Sequence, residues 1–67
     1  MSATFGIVEL AVEAEREVRM REHVFGKRVA AGTMRAADAE RKIALMREIA
    51  RRLRTEAEAE AMKGWLL

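Results

Sequence analysis

Sixty-seven residues make one small domain, and at this size the entropy of ordering nearly cancels what a single core returns, so some added source of burial is expected. Cysteine and proline are both absent, which excludes disulfides, thiol catalysis and thiolate metal sites and leaves oligomerisation as the favoured device. The formal charge of +2 conceals a basic middle and acidic ends: residues 16–54 carry a net +7, and the flanks, with Glu9, Glu13, Glu15, Glu56, Glu58 and Glu60 against Lys63, a net −5.

Ala, Glu, Arg, Met and Leu dominate, and no run alternates Val, Ile or Tyr. The fold class is therefore all-α. No apolar run approaches the roughly 18 residues needed to cross a bilayer, and residues 1–7 lack the basic start and apolar centre of a secretory signal. The expectation is a soluble protein of the cytoplasm with no membrane partner.

Helix one is predicted over about residues 4–31. Ser2 or Thr4 can cap it, and Glu9 lies where the helix dipole favours an anion. Ile7, Ala11, Ala14, Val18, Phe25 and Val29 fall at helical spacing, while Arg21 occupies a position in the same stripe and must either snorkel out or form a polar site. Val8, Val12 and Val24 widen the stripe, so a single partner helix would not cover it. Gly26 reads as a bend or a close-packing position.

Ala30-Ala31-Gly32-Thr33-Met34 is the one clear interruption. Gly32 suits the left-handed position just past a helix end, with Lys27 and Arg28 complementing the negative end of the dipole. The turn is placed at 32–34, and Thr33 is expected to cap helix two, predicted over about 35–62 with Asp38 in its first turn.

Ala39, Ile43, Met46, Ala50, Leu53 and Ala57 are spaced 4, 3, 4, 3 and 4 apart. That is a heptad seam, flanked by Leu45 and Ile49, and it predicts shallow-angle packing against an antiparallel neighbour. Gly64 is expected to end the helix, leaving Trp65, Leu66 and Leu67 as an apolar tail over 64–67 that suits partner binding. The predicted architecture is a two-helix antiparallel hairpin that associates into a four-helix bundle dimer or higher oligomer.

Folding the chain near residue 33 sets position n opposite roughly 66 − n. Arg16, Arg19, Arg47, Arg51, Arg52 and Arg54 then form a belt, and forked guanidinium donors suit phosphate and carboxylate. The competing reading is a solvated surface of internal pairs, since Glu15 and Arg19, Glu17 and Arg21, and Glu48 and Arg52 are each four residues apart. His23 is the sole histidine and has no partner at metal-ligand spacing, and Ser2, Thr4, Thr33 and Thr55 have no base supplied by a recognisable motif. Neither a cofactor nor enzyme activity is expected.

The segments Arg21–Phe25, Val29–Met34 and Asp38–Ile49 together resemble short helical proteins encoded by tailed phages and prophages. Those carry an aromatic followed by proline, a V-A-x-G turn, and a helix patterned A-E/D-x-x-I-x-x-M. The resemblance covers about half of the chain and implies a phage accessory protein that antagonises host defence by binding in the bacterial cytoplasm. Besides itself, the partner expected first is an anionic nucleotide signal sequestered by the arginines of the assembled protein; the alternatives are a host complex blocked through an apolar helical or C-terminal surface and, after that, nucleic acid.

Overall fold

The computed structural model describes residues 4–66, with side chains described through Gly64. Two helices account for nearly all of it: α1 (Ile7–Ala30) and α2 (Ala36–Leu66), antiparallel about a short turn, with no strand among the described residues. The Cα envelope measures 53 × 30 × 13 Å. The smallest dimension is about that of one helix, so the hairpin is a single layer with two broad faces.

α1 begins later than the sequence suggests. Its N-cap is Gly6, whose carbonyl accepts from the Leu10 amide at 3.2 Å, and no side chain caps the end. Thr4 therefore does not act as the cap, and Ser2 lies outside the described residues.

The end of α1 is built by hydrogen bonds that close the turn. Gly32 has φ +76. Its amide donates to the Val29 carbonyl at 3.0 Å, and the Thr33 amide donates to the Arg28 carbonyl at 2.9 Å. These are the two crossed bonds of a Schellman ending, and glycine at its left-handed position avoids the Cβ penalty. The Thr33 hydroxyl donates to the same Arg28 carbonyl at 3.2 Å. Thr33 thus closes the first helix and does not cap the second. The second starts with the Arg35 carbonyl accepting from Ala39 at 3.0 Å.

The two seams meet. Ala11, Ala14, Ala39, Ala50 and Ala57 are buried, while Ile7, Val18, Phe25, Val29, Ile43, Met46 and Leu53 are half-buried beside them. Small residues let the backbones approach closely, but they also make a thin core: among the described residues no large side chain is fully buried. Near the turn, Arg28 lies over the Phe25 ring, 5.8 Å from its centroid.

α2 does not stop at Gly64. It runs through to Leu66, so 64–66 is helical backbone and not a separate tail. Gly64 has no positive φ, and a helical glycine costs only about 1 kcal/mol, which tertiary and local context readily absorb. The side chains of Trp65 and Leu66, and all of Leu67, lie outside the described residues, so the expected partner contact there has no structural counterpart. No helix among the described residues is long and apolar enough to cross a membrane.

Candidate functional site

The two broad faces follow from the seam. Residues just after the seam positions, such as Glu15 and Glu22 on α1 and Arg47, Arg51 and Arg54 on α2, share one face. Residues just before them, such as Leu10, Glu17 and Val24 on α1 and Lys42, Ile49 and Glu56 on α2, share the other.

The first face is charged, and several of its charges are matched across the hairpin. Arg54 grips Glu15 through two bonds, Nε to Oε2 at 2.9 Å and Nη2 to Oε1 at 2.7 Å. Arg47 Nη2 donates to Glu22 Oε2 at 2.8 Å. Both pairs link α1 to α2 and set position n opposite about 69 − n, three residues from the expected register.

Around the edge of α2, Glu48 accepts from Arg51 at 2.9 and 2.6 Å and from Arg52 at 2.9 Å. Those bonds hold the Glu48 carboxyl down at about 2, the Arg51 bond having the largest effect. The Arg54 bond likewise lowers Glu15, with smaller help from the charges of Arg54 and Arg19. Bonded carboxylates favour the charged form in just this way.

These contacts divide the expected belt. Arg19, Arg47, Arg51 and Arg54 line one shallow groove of about 500 Å³ together with Glu15, Val18 and Glu58. Arg16 and Arg52 do not line it. Arg47, Arg51, Arg52 and Arg54 are each engaged by a carboxylate, whereas Arg16 and Arg19 form no ion pair among the described residues. Of the expected helical pairs, Glu17–Arg21 at 3.1 Å and Glu48–Arg52 at 2.9 Å are present, but Glu15 reaches Arg54 across the hairpin instead of Arg19.

The second face has a different composition at its centre. The register set by Glu15–Arg54 and Glu22–Arg47 places Val24 level with Leu45 and Met20 level with Ile49. Met20 is 50% exposed, Leu45 50% and Ile49 48%; Val24 is half-buried. Arg21 borders this cluster from its seam position: its Nη1 donates to the Lys42 carbonyl at 2.9 Å while its Nε bonds Glu17 at 3.1 Å. The arginine therefore snorkels along this edge, its charge satisfied on both helices.

Leu45, Ile49 and Val24 were visible in sequence only as residues beside a stripe. Grouping them with Met20 needs the register, which sequence spacing did not supply. Among the described residues no group of His, Asp or Glu is arranged to hold a metal ion. No protein-family model, curated protein or solved structure matches the chain.

Proposed function

We propose that the chain is a non-enzymatic protein-binding module whose working surface is the apolar face of the hairpin, taking a helical partner over Met20, Val24, Leu45 and Ile49. One observation carries this reading: three large apolar side chains stand half-exposed at the centre of one face, while arginines on the other face already hold carboxylates. Water-exposed apolar clusters of this kind mark protein contacts, and an amphipathic helix or helix pair is the partner shape that fits a flat helical layer. The resemblance to short phage proteins supplies the setting, an accessory protein acting on a host complex in the bacterial cytoplasm.

The test compares two double variants of the full chain in capture from bacterial lysate. Leu45→Lys/Ile49→Lys should abolish capture and Arg19→Glu/Arg51→Glu should leave it intact. The reverse pattern would move the working surface to the charged face.

A second reading is favoured by Arg19, which lines the groove without an ion pair among the described residues. It is the sequestering of an anionic nucleotide there. An incoming phosphate would have to compete with Glu15 for Arg54 and would meet Glu58 as well, which sets this reading second. Calorimetric titration with cyclic di- and trinucleotides at two salt concentrations tests it; absence of salt-sensitive heat removes it.

A further inference from the structure

We infer that in the free protein the apolar face is closed by a second copy of this chain, which a host helix must displace, packed antiparallel so that the turn of each hairpin lies against the open end of the other; this rests on the protein-binding reading of that face. Three observations converge on it.

The first is area. The chain exposes 5684 Å², whereas a compact monomer of 7.6 kDa exposes about 4,300 Å². The excess is about 1,400 Å², and a stable pairwise interface removes about 800 Å² from each partner. One further hairpin laid on one face therefore fits within the excess and removes more than half of it.

The second is shape. The hairpin is a layer 13 Å thick, and two such layers stacked through their apolar faces make a four-helix bundle with a core of four helices in place of a seam of alanines. A twofold axis through the Met20, Val24, Leu45 and Ile49 cluster brings these residues against their own copies, as an isologous contact requires.

The third is charge, and it fixes the direction. The turn end, residues 24–46, carries Lys27, Arg28, Arg35, Arg41 and Lys42 against Asp38 and Glu40, a net +3. The open end carries Glu9, Glu13, Glu15, Glu56, Glu58 and Glu60 against Arg54 and Lys63, a net −4. Side-by-side pairing would press basic turn on basic turn. Antiparallel pairing sets each basic turn against an acidic open end twice, once at each end of the bundle. In this arrangement the two arginine grooves face outward on opposite sides and do not merge.

Sedimentation velocity and light scattering of the full chain across micromolar concentrations should give twice the mass of one chain. The sequence has no cysteine, so Ala31→Cys offers a single site for a spin label beside the turn. A dyad at the level of Glu22 and Arg47 sets the two labels roughly 30 Å apart along the bundle, whereas side-by-side turns bring them under about 20 Å. Lys27→Glu/Lys42→Glu, which leaves the apolar residues untouched, should weaken pairing at least tenfold, and mixing it with Glu13→Lys/Glu56→Lys should restore it.

A folded single chain at every concentration, a mass other than twofold, a short label distance, or tighter pairing in Lys27→Glu/Lys42→Glu would each overturn the proposal. A monomer that still loses lysate capture on Leu45→Lys/Ile49→Lys removes self-pairing and keeps the protein-binding reading. Leu45→Lys/Ile49→Lys that changes neither self-association nor lysate capture removes both, and Lys27→Glu/Lys42→Glu that leaves pairing unchanged overturns the antiparallel direction.

Discussion

The charged face and the apolar face are built on the same two helices and the same seam, yet they answer to different physics. On the charged face Glu15 and Glu22 reach Arg54 and Arg47 across the hairpin, and the exposed apolar residues of that face, Val8 and Val12, stand on α1 alone toward its open end. On the apolar face Met20, Leu45 and Ile49 leave about half of their surface in water, and nothing else among the described residues covers them. Salt bridges at an exposed surface contribute little net free energy, whereas apolar area removed from water contributes in proportion to its extent. The face with the more conspicuous residues is thus the less consequential one for association.

The largest expected effect comes from breaking the apolar side of this contrast. Full burial of such a side chain is worth about 1.5–3 kcal/mol, and about half remains to be gained here. In the proposed dimer Leu45→Lys/Ile49→Lys alters four side chains and should weaken pairing by roughly a thousandfold, read by sedimentation. Circular dichroism at high concentration should still show helix.

Next in size is the seam that both faces share. Ala11 is fully buried, so Ala11→Leu forces the helices apart at a cost of about 1–3 kcal/mol. Thermal melting should fall, and the cross-hairpin contacts on the charged face should loosen together with the apolar cluster. Loss of one face alone would show that the faces are not mechanically joined.

Gly32→Ala should cost about 1 kcal/mol, because an L side chain is strained at φ +76 although the added Cβ meets no atom within 4 Å. Chemical denaturation gives the value, and the midpoint should shift without a change in slope.

The smallest effects belong to the charged face. Glu15→Gln should lower the melting temperature slightly in low salt and by less in 1 M salt, since the pair it breaks is only part-buried. Glu48 supplies a pH signature. Its folded value lies below its ordinary 4.5, at about 2, so its stabilising contribution is complete above about pH 4.5 and is lost as pH falls through about 2. Carbon-detected titration of the Glu48 carboxyl checks this, and a midpoint near 4.5 would show that Arg51 does not hold it.

Much of the fold was legible because periodicity is local. The spacing of Ile7, Ala11, Ala14 and Val18, and of Ala39 through Ala57, identifies the buried edges of both helices without reference to anything distant. Gly32 was legible for the same reason, as a turn residue with one conformational task. The ends were less so. Gly6 caps α1 with its backbone alone, and at Gly64 the helix-favouring Glu58-Ala59-Glu60-Ala61 run carries α2 onward where a glycine signal alone predicts a stop.

The site was legible only in outline. Arg19, Arg47, Arg51 and Arg54 do gather on one face, but whether an arginine is free depends on which carboxylate lies opposite. The shift of the pairing axis from 66 − n to about 69 − n decides that. The same shift sets Val24 beside Leu45 and Met20 beside Ile49. Spacing along a helix does not encode the offset between helices; the geometry of the Gly32 turn does.

The most direct measurement is the solvent exposure of individual methyl groups, read with a soluble paramagnetic probe as the chain is concentrated. Met20, Val24, Leu45 and Ile49 should become shielded with rising concentration while Val8 and Val12 on the opposite face stay accessible. Equal exposure of both sets at every concentration would contradict the proposed pairing of two chains through the apolar face.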